Sequence, residues 1–139
     1  MELNLGAIVA ATIVMFAVGA FWYMVPFGKT WGKMHGFDKL SPEQQKAAQS
    51  KMAPFYAVQV AVTVLSATVL SGLQSQMPTV SLYKIVFSIW LGFIVPAQIS
   101  AVVFGGTESK WIVKKSSIMA AETLIHLLAA AWVVTTIQG

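Results

Sequence analysis

Four stretches of this chain, roughly residues 5–27, 54–73, 82–104 and 112–137, are each apolar over about the 20 residues a helix needs to cross the hydrocarbon of a bilayer. In lipid every backbone amide and carbonyl must be satisfied inside the protein, so a spanning segment is a helix or a strand of a closed barrel. Barrel strands alternate apolar and polar residues, and these stretches do not. The expected fold class is therefore all-α, an integral membrane four-helix bundle, with 1–139 forming one transmembrane domain. The first stretch opens Met1-Glu2-Leu3-Asn4 with no basic n-region and exceeds the usual apolar core of a signal peptide, so it reads as a span.

Composition agrees. Of 139 residues, 57% are hydrophobic and 10% charged, against about 25% charged in a soluble domain. The net charge is +4 and every cation is a lysine. These lysines flank apolar stretches in two clusters, so the expected partner is the lipid bilayer and not nucleic acid. The chain has no cysteine, which excludes disulfides and thiolate metal sites.

The lysines also give direction. Lys29, Lys33, Lys39, Lys46 and Lys51 lie between the first two spans, and Lys110, Lys114 and Lys115 between the last two. Only Lys84 lies on the opposite side. The positive-inside rule then places the loops 28–53 and 105–111 in the cytoplasm and both termini on the non-cytoplasmic side. A bacterial inner membrane is the expected location. Trp22, Tyr23, Trp31 and Trp111 fit an inner aromatic belt, and Tyr83 an outer one. Within the first loop, Ser41-Pro42-Glu43-Gln44 has the form of a capping box with proline in the first turn. It predicts a short amphipathic surface helix from Pro42 to about Met52. His35 in the same loop is expected to be solvated. Phe27-Gly28-Lys29-Thr30-Trp31 is loosely echoed by Phe104-Gly105-Gly106-Thr107, as a parallel helix-pair repeat would require. Pro96 is a candidate kink.

Polar residues within the spans are the functional candidates, because lipid makes them expensive. A carboxylate at membrane depth costs on the order of 3 kcal/mol on insertion scales. Glu122 should therefore face the interior, and His126, four residues on, shares its face. Tyr56, Gln59, Thr63 and Ser66 form a stripe on the second span, Thr12, Gly19 and Tyr23 a milder one on the first, and Gln98 stands on the third. Counting residues from the inner ends puts Gln59, Gln98 and Glu122 about 10 Å below the inner surface, with His126 about 6 Å deeper and Tyr23 at the inner edge.

This polar layer fits a hydrogen-bond network between helices, or a ligand, ion or proton site built on Glu122, His126, Gln98, Gln59, Tyr56, Thr63 and Tyr23. No catalytic residue is assigned: an acid and a base are present, but no activated nucleophile. No metal or cofactor is expected either, since a closed metal site needs about four ligands and a second His–Glu pair would have to come from a symmetric dimer. The leading expectation is binding or transport of a small molecule, ion or proton. The alternatives are a structural or accessory subunit of a larger membrane complex and a small membrane enzyme. A homo-oligomer or a partner membrane subunit would bury more of the polar surface.

Gly19-Ala20-Phe21-Trp22-Tyr23 running into Phe27-Gly28-Lys29-Thr30-Trp31, then Trp90-Leu91-Gly92-Phe93, then Phe104-Gly105-Gly106 before a basic segment resemble the bacterial membrane family called domain of unknown function 1761. The resemblance covers nearly the whole chain. It implies a small four-helix membrane protein and supplies no activity and no functional residues. Glu122 and His126 lie outside these motifs.

Overall fold

The computed structural model describes residues 2–139, and every regular element among them is helical. Helix α1 runs Leu5–Met24, α2 Gly28–Met34, α3 Pro42–Lys51 and α4 Ala53–Gln76. Helix α5 (Leu82–Ile89) continues through a π turn (Trp90–Ile94) into α6 (Val95–Phe104), and α7 covers Ile112–Gln138. Single 3-10 turns lie at Phe37–Lys39 and Ser109–Trp111. Among the described residues four helices are long and apolar enough to cross a membrane: α1, α4, the joined α5–α6, and α7 with the turn before it.

Local chemistry explains the boundaries. Asn4 caps α1 by accepting from the Ala7 amide at 2.9 Å. The helix stops at Met24, short of residue 27: Val25 still has helical geometry and donates to the Phe21 carbonyl, but Pro26 has no N–H to continue the ladder, and the Trp22 carbonyl accepts from the Phe27 amide instead. The capping box is present as expected: Ser41 Oγ accepts from the Gln44 amide, and the Gln44 side chain accepts from the Ser41 amide. The helix it opens is polar on all sides, Pro-Glu-Gln-Gln-Lys-Ala-Ala-Gln-Ser-Lys, and so is not amphipathic. Pro96 is accommodated by the π turn before it, in which the Val95 amide reaches back five residues to the Trp90 carbonyl.

Two loop expectations change. Residues 28–34, expected as part of the loop 28–53, form the helix α2. Phe27 is its N-cap, whereas Phe104 ends α6 and runs into a turn where Gly106 takes φ 78°. The two echoing segments therefore have different local structures.

Helix α7 packs against α1, α4 and both halves of the third long helix, while the third helix touches α4 only slightly. The core collects small residues: Ala7 and Ala11 of α1, Ala67 of α4, and Ala130, Ala131 and Val134 of α7 are all fully buried. Small side chains let helix backbones approach closely where dispersion, not the hydrophobic effect, drives packing.

Both termini meet at one end. Ser71, fully buried on α4, accepts from the Asn4 amide at 3.0 Å and donates to Gln138 Oε1 at 2.8 Å. Gln138 Nε2 donates back to the Ser71 carbonyl. Ser75 adds a hydroxyl bond to the Glu2 carbonyl.

The lysine-rich loops meet at the other end. His35 Nδ1 lies 2.8 Å from the Trp31 carbonyl and its Nε2 lies 3.1 Å from Lys115 Nζ. A carbonyl and an ammonium on either side require Nδ1 to donate and Nε2 to accept. His35 is exposed, as expected, and also links the end of α2 to α7. Glu108 pairs with Lys110 at 2.9 Å. That hydrogen bond first, and the lysine charge second, hold the Glu108 carboxyl below its ordinary range.

Candidate functional site

Helix α4 separates from α1 and α7 toward the lysine-rich end, where α1 and α7 stay joined through Trp22 and the Ile118 carbonyl. The buried residues of α4 (Thr63, Ala67, Leu70, Ser71 and Gly72) begin near its middle and continue toward the termini. Every residue from Lys51 to Val62 is exposed. Helix α4 is thus held at one end and stands away at the other. The gap is a cleft of about 700 Å³, the size of pockets that take drug-sized molecules.

Glu122 and His126 of α7 stand in this cleft. His126 Nδ1 lies 2.7 Å from Glu122 Oε1, the short distance of a charge-assisted bond. Glu122 is 6% exposed. Among the described residues its Oε2 makes no hydrogen bond, and neither does His126 Nε2. The pair therefore offers one carboxylate oxygen and one ring nitrogen to an occupant.

Helix α1 supplies the opposing wall. Gly19 faces Glu122: a Cβ on it would lie 3.2 Å from Glu122 Oε1. Its lack of a side chain makes room for the carboxylate. Tyr23, one turn nearer the lysine-rich end, lines the mouth and packs on Trp31 at 4.6 Å between ring centroids. Trp31 in turn packs on His35, with Lys115 Nζ 5.5 Å from its ring centre. Helix α4 contributes Tyr56, Gln59, Thr63 and Ser66. Thr63 donates to the Gln59 carbonyl at 2.7 Å, and the Gln59 amide reaches the Thr63 hydroxyl at 3.4 Å. These bonds are within the helix, so the stripe holds its own side chains in place.

Of the seven candidates named from the sequence, six line this cleft: Glu122, His126, Gln59, Tyr56, Thr63 and Tyr23. Gln98 does not. It lies on α6, and its Oε1 is buried without a hydrogen-bond partner. Thr12 also stays outside, bonded to the Ile8 carbonyl of its own helix. The cleft's third wall is α1 rather than the third long helix.

Two tryptophans that sequence reasoning left at the membrane surface, or passed over, bolt the site together. Trp22 Nε1 donates to the Ile118 carbonyl at 3.1 Å, and Trp90 Nε1 to the Ala120 carbonyl at 2.8 Å. Their place in the aromatic motifs was the only available signal.

No group of three or more His, Cys, Asp or Glu side chains could hold a metal ion among the described residues. The family model described as a protein of unknown function, DUF1761, matches residues 6–137. No curated protein and no solved structure matches the chain.

Proposed function

Because the chain belongs to this DUF1761 family of unknown function, its activity has to be read from its own residues, and we propose that it binds a small lipid-soluble molecule in the cleft, as a membrane receptor or the binding stage of a transporter. The observation that carries this reading is a buried carboxylate with an open oxygen in a cleft whose lining surface is mostly apolar and carries a stripe of neutral polar groups from α4. A carboxylate at such depth is expensive, and a purely structural one would have both oxygens satisfied. The lysine-rich loops face the cytoplasm on this reading and both termini lie outside. The cleft then opens to the cytoplasmic leaflet and is closed on the far side by the alanine-lined core. A second copy of the chain against α4 would narrow the lateral opening.

The short Glu122–His126 contact favours a second reading, in which the pair only braces α7 inside a larger membrane complex. Cysteine labelling separates the two, since the chain has no native cysteine. Ser66→Cys lies at the deep end of the cleft. Binding predicts fast reaction with a lipid-soluble maleimide, and at least about tenfold slowing when Ala20→Trp fills the cleft. An Ser66→Cys that reacts no faster than a cysteine in the alanine core would sink the binding reading.

A further inference from the structure

We propose that the occupant is a lipid-soluble organic cation, and that the cleft exchanges it for one proton carried by the Glu122–His126 pair. This rests on the binding reading above and adds the ligand's charge and the exchange.

The argument begins with charge. Among the described residues, Glu122 is the only acid lining the cleft, and His126 is the only group there that could balance it. The chain has no arginine. The nearest lysine on α7, Lys115, lies beyond Tyr23 and Trp31, engaged with His35. The other groups facing the pair are the phenols of Tyr23 from α1 and Tyr56 from α4. The third long helix carries only Tyr83 and Lys84 as titratable residues, both at its start and on the terminal side of Trp90. With the ring neutral, the cleft therefore carries one uncompensated negative charge.

The walls suit a soft, bulky cation. Phe16, Tyr23 and Tyr56 present aromatic rings, and Met15 and Met24 polarizable thioethers. The volume, about 700 Å³, is far larger than a bare ion needs, and no group of three or more His, Cys, Asp or Glu side chains gathers around a point among the described residues. Every residue of α4 from Ala53 to Val62 is exposed, so a molecule dissolved in lipid could enter sideways.

Exchange follows from the geometry. When empty, the site can hold a proton on His126, and imidazolium and carboxylate cancel. An arriving cation meets Oε2 of Glu122 while a second positive charge sits on the ring bonded to Oε1. Two like charges at one carboxylate are unfavourable. His126 therefore gives up its Nε2 proton to water entering the cleft and keeps its Nδ1 proton, which stays on the ring and is donated to Glu122 Oε1. One cation enters, one proton leaves, and the charge of the site is unchanged.

The test uses the full chain in lipid nanodiscs, with dodecyltrimethylammonium as probe and dodecanol as its uncharged counterpart, each corrected for empty discs. Calorimetry in two buffers of different ionisation enthalpy counts protons. The wild type is expected to bind the cation at least about tenfold tighter than the alcohol, the equivalent of one buried charge contact. About one proton should leave per cation on the acid side, with affinity rising up to about tenfold per pH unit, the slope of a one-proton linkage. Glu122→Gln should erase the preference for charge and Glu122→Asp should keep part of it. His126→Gln should keep the preference but lose the proton release. Equal affinity for both probes with no proton released overturns the exchange and leaves the binding reading intact. Failure of Ala20→Trp to weaken either probe overturns both. If Glu122→Gln does not fold, the wild-type proton count and the ratio of the two probes still decide.

Discussion

Trp22 and Trp90 donate their indole N–H groups to backbone carbonyls two residues apart on α7, those of Ile118 and Ala120. Two residues on a helix point about 200° apart, so the indoles arrive from opposite sides, one from α1 and one from the third long helix. The Ile118 carbonyl is also the ladder acceptor for the Glu122 amide. The turn that carries the acid is thus gripped from both flanks.

Removing either indole N–H should loosen that grip. Trp22→Phe and Trp90→Phe are each expected to cost about 1 kcal/mol, in the range of hydrogen bonds between membrane helices. The double variant should cost close to the sum, since the bonds lie on opposite faces. Steric-trap unfolding in bicelles measures this. A cost near zero for both would mean that the indoles only fill space.

Gly19 tests how tightly the carboxylate is seated. Alanine gains roughly 1 kcal/mol over glycine in helix propensity, but its Cβ would press on Glu122 Oε1. Gly19→Ala is therefore expected to leave stability nearly unchanged while shifting the Glu122 carboxyl infrared band, assigned by its loss in Glu122→Gln. Gly19→Leu should cost about 1–3 kcal/mol by overpacking. An unshifted band in both variants would place Glu122 elsewhere.

Much of this arrangement was legible in the sequence. The third span, 82–104, coincides with the observed Leu82–Phe104, because lipid makes apolar length the dominant signal. Tyr56, Gln59, Thr63 and Ser66 share one wall because helical spacing dictates it, and Glu122 meets His126 for the same reason. Rotation of one helix about its axis relative to another was not legible. Depth counting put Gln98 in the layer with Gln59 and Glu122, but depth says nothing about direction. The π turn at Trp90–Ile94 adds a residue to the turn and rotates everything after it, so the face carrying Gln98 could not be extrapolated from α5. The indole bonds were hidden for another reason: their acceptors are backbone carbonyls, which every residue has.

Ser71 holds the far end. Ser71→Ala removes its hydroxyl bonds to the Asn4 amide and to Gln138 and leaves the side-chain bonds that its carbonyl accepts from Gln138 and Ser75. The expected cost is about 1–2 kcal/mol. Hydrogen exchange should rise at the Asn4 amide more than at Tyr56 or Gln59. A uniform rise along α4 would instead indicate general loosening.

At the lysine-rich end, Lys110 keeps the Glu108 carboxyl below its ordinary range. A group depressed in this way contributes stability above its unfolded-state pKa and loses it as the pH falls through the folded-state value. Glu108 is fully exposed, so titration and not stability is the useful readout. Lys110→Gln should move its carboxyl NMR midpoint upward toward the ordinary range, and Lys39→Gln should move it upward by less.

Orientation has its own test. Lys46→Cys and Gly139→Cys place single thiols on opposite ends of the molecule. With the lysine-rich loops in the cytoplasm, an impermeant maleimide should label the second in intact cells and the first only after lysis. The reverse pattern would invert the assignment.

Attachment of α4 at one end only has a mechanical consequence. From Ser71 to Tyr56 is 15 residues, about 22 Å of helix. A rigid rod pinned at Ser71 and tilted by about 10° would carry Tyr56 through about 4 Å, by the same rise per residue. Small rearrangements around one serine hydroxyl are thus multiplied at the mouth, and α4 has the proportions of a lever whose fulcrum lies beside the chain ends.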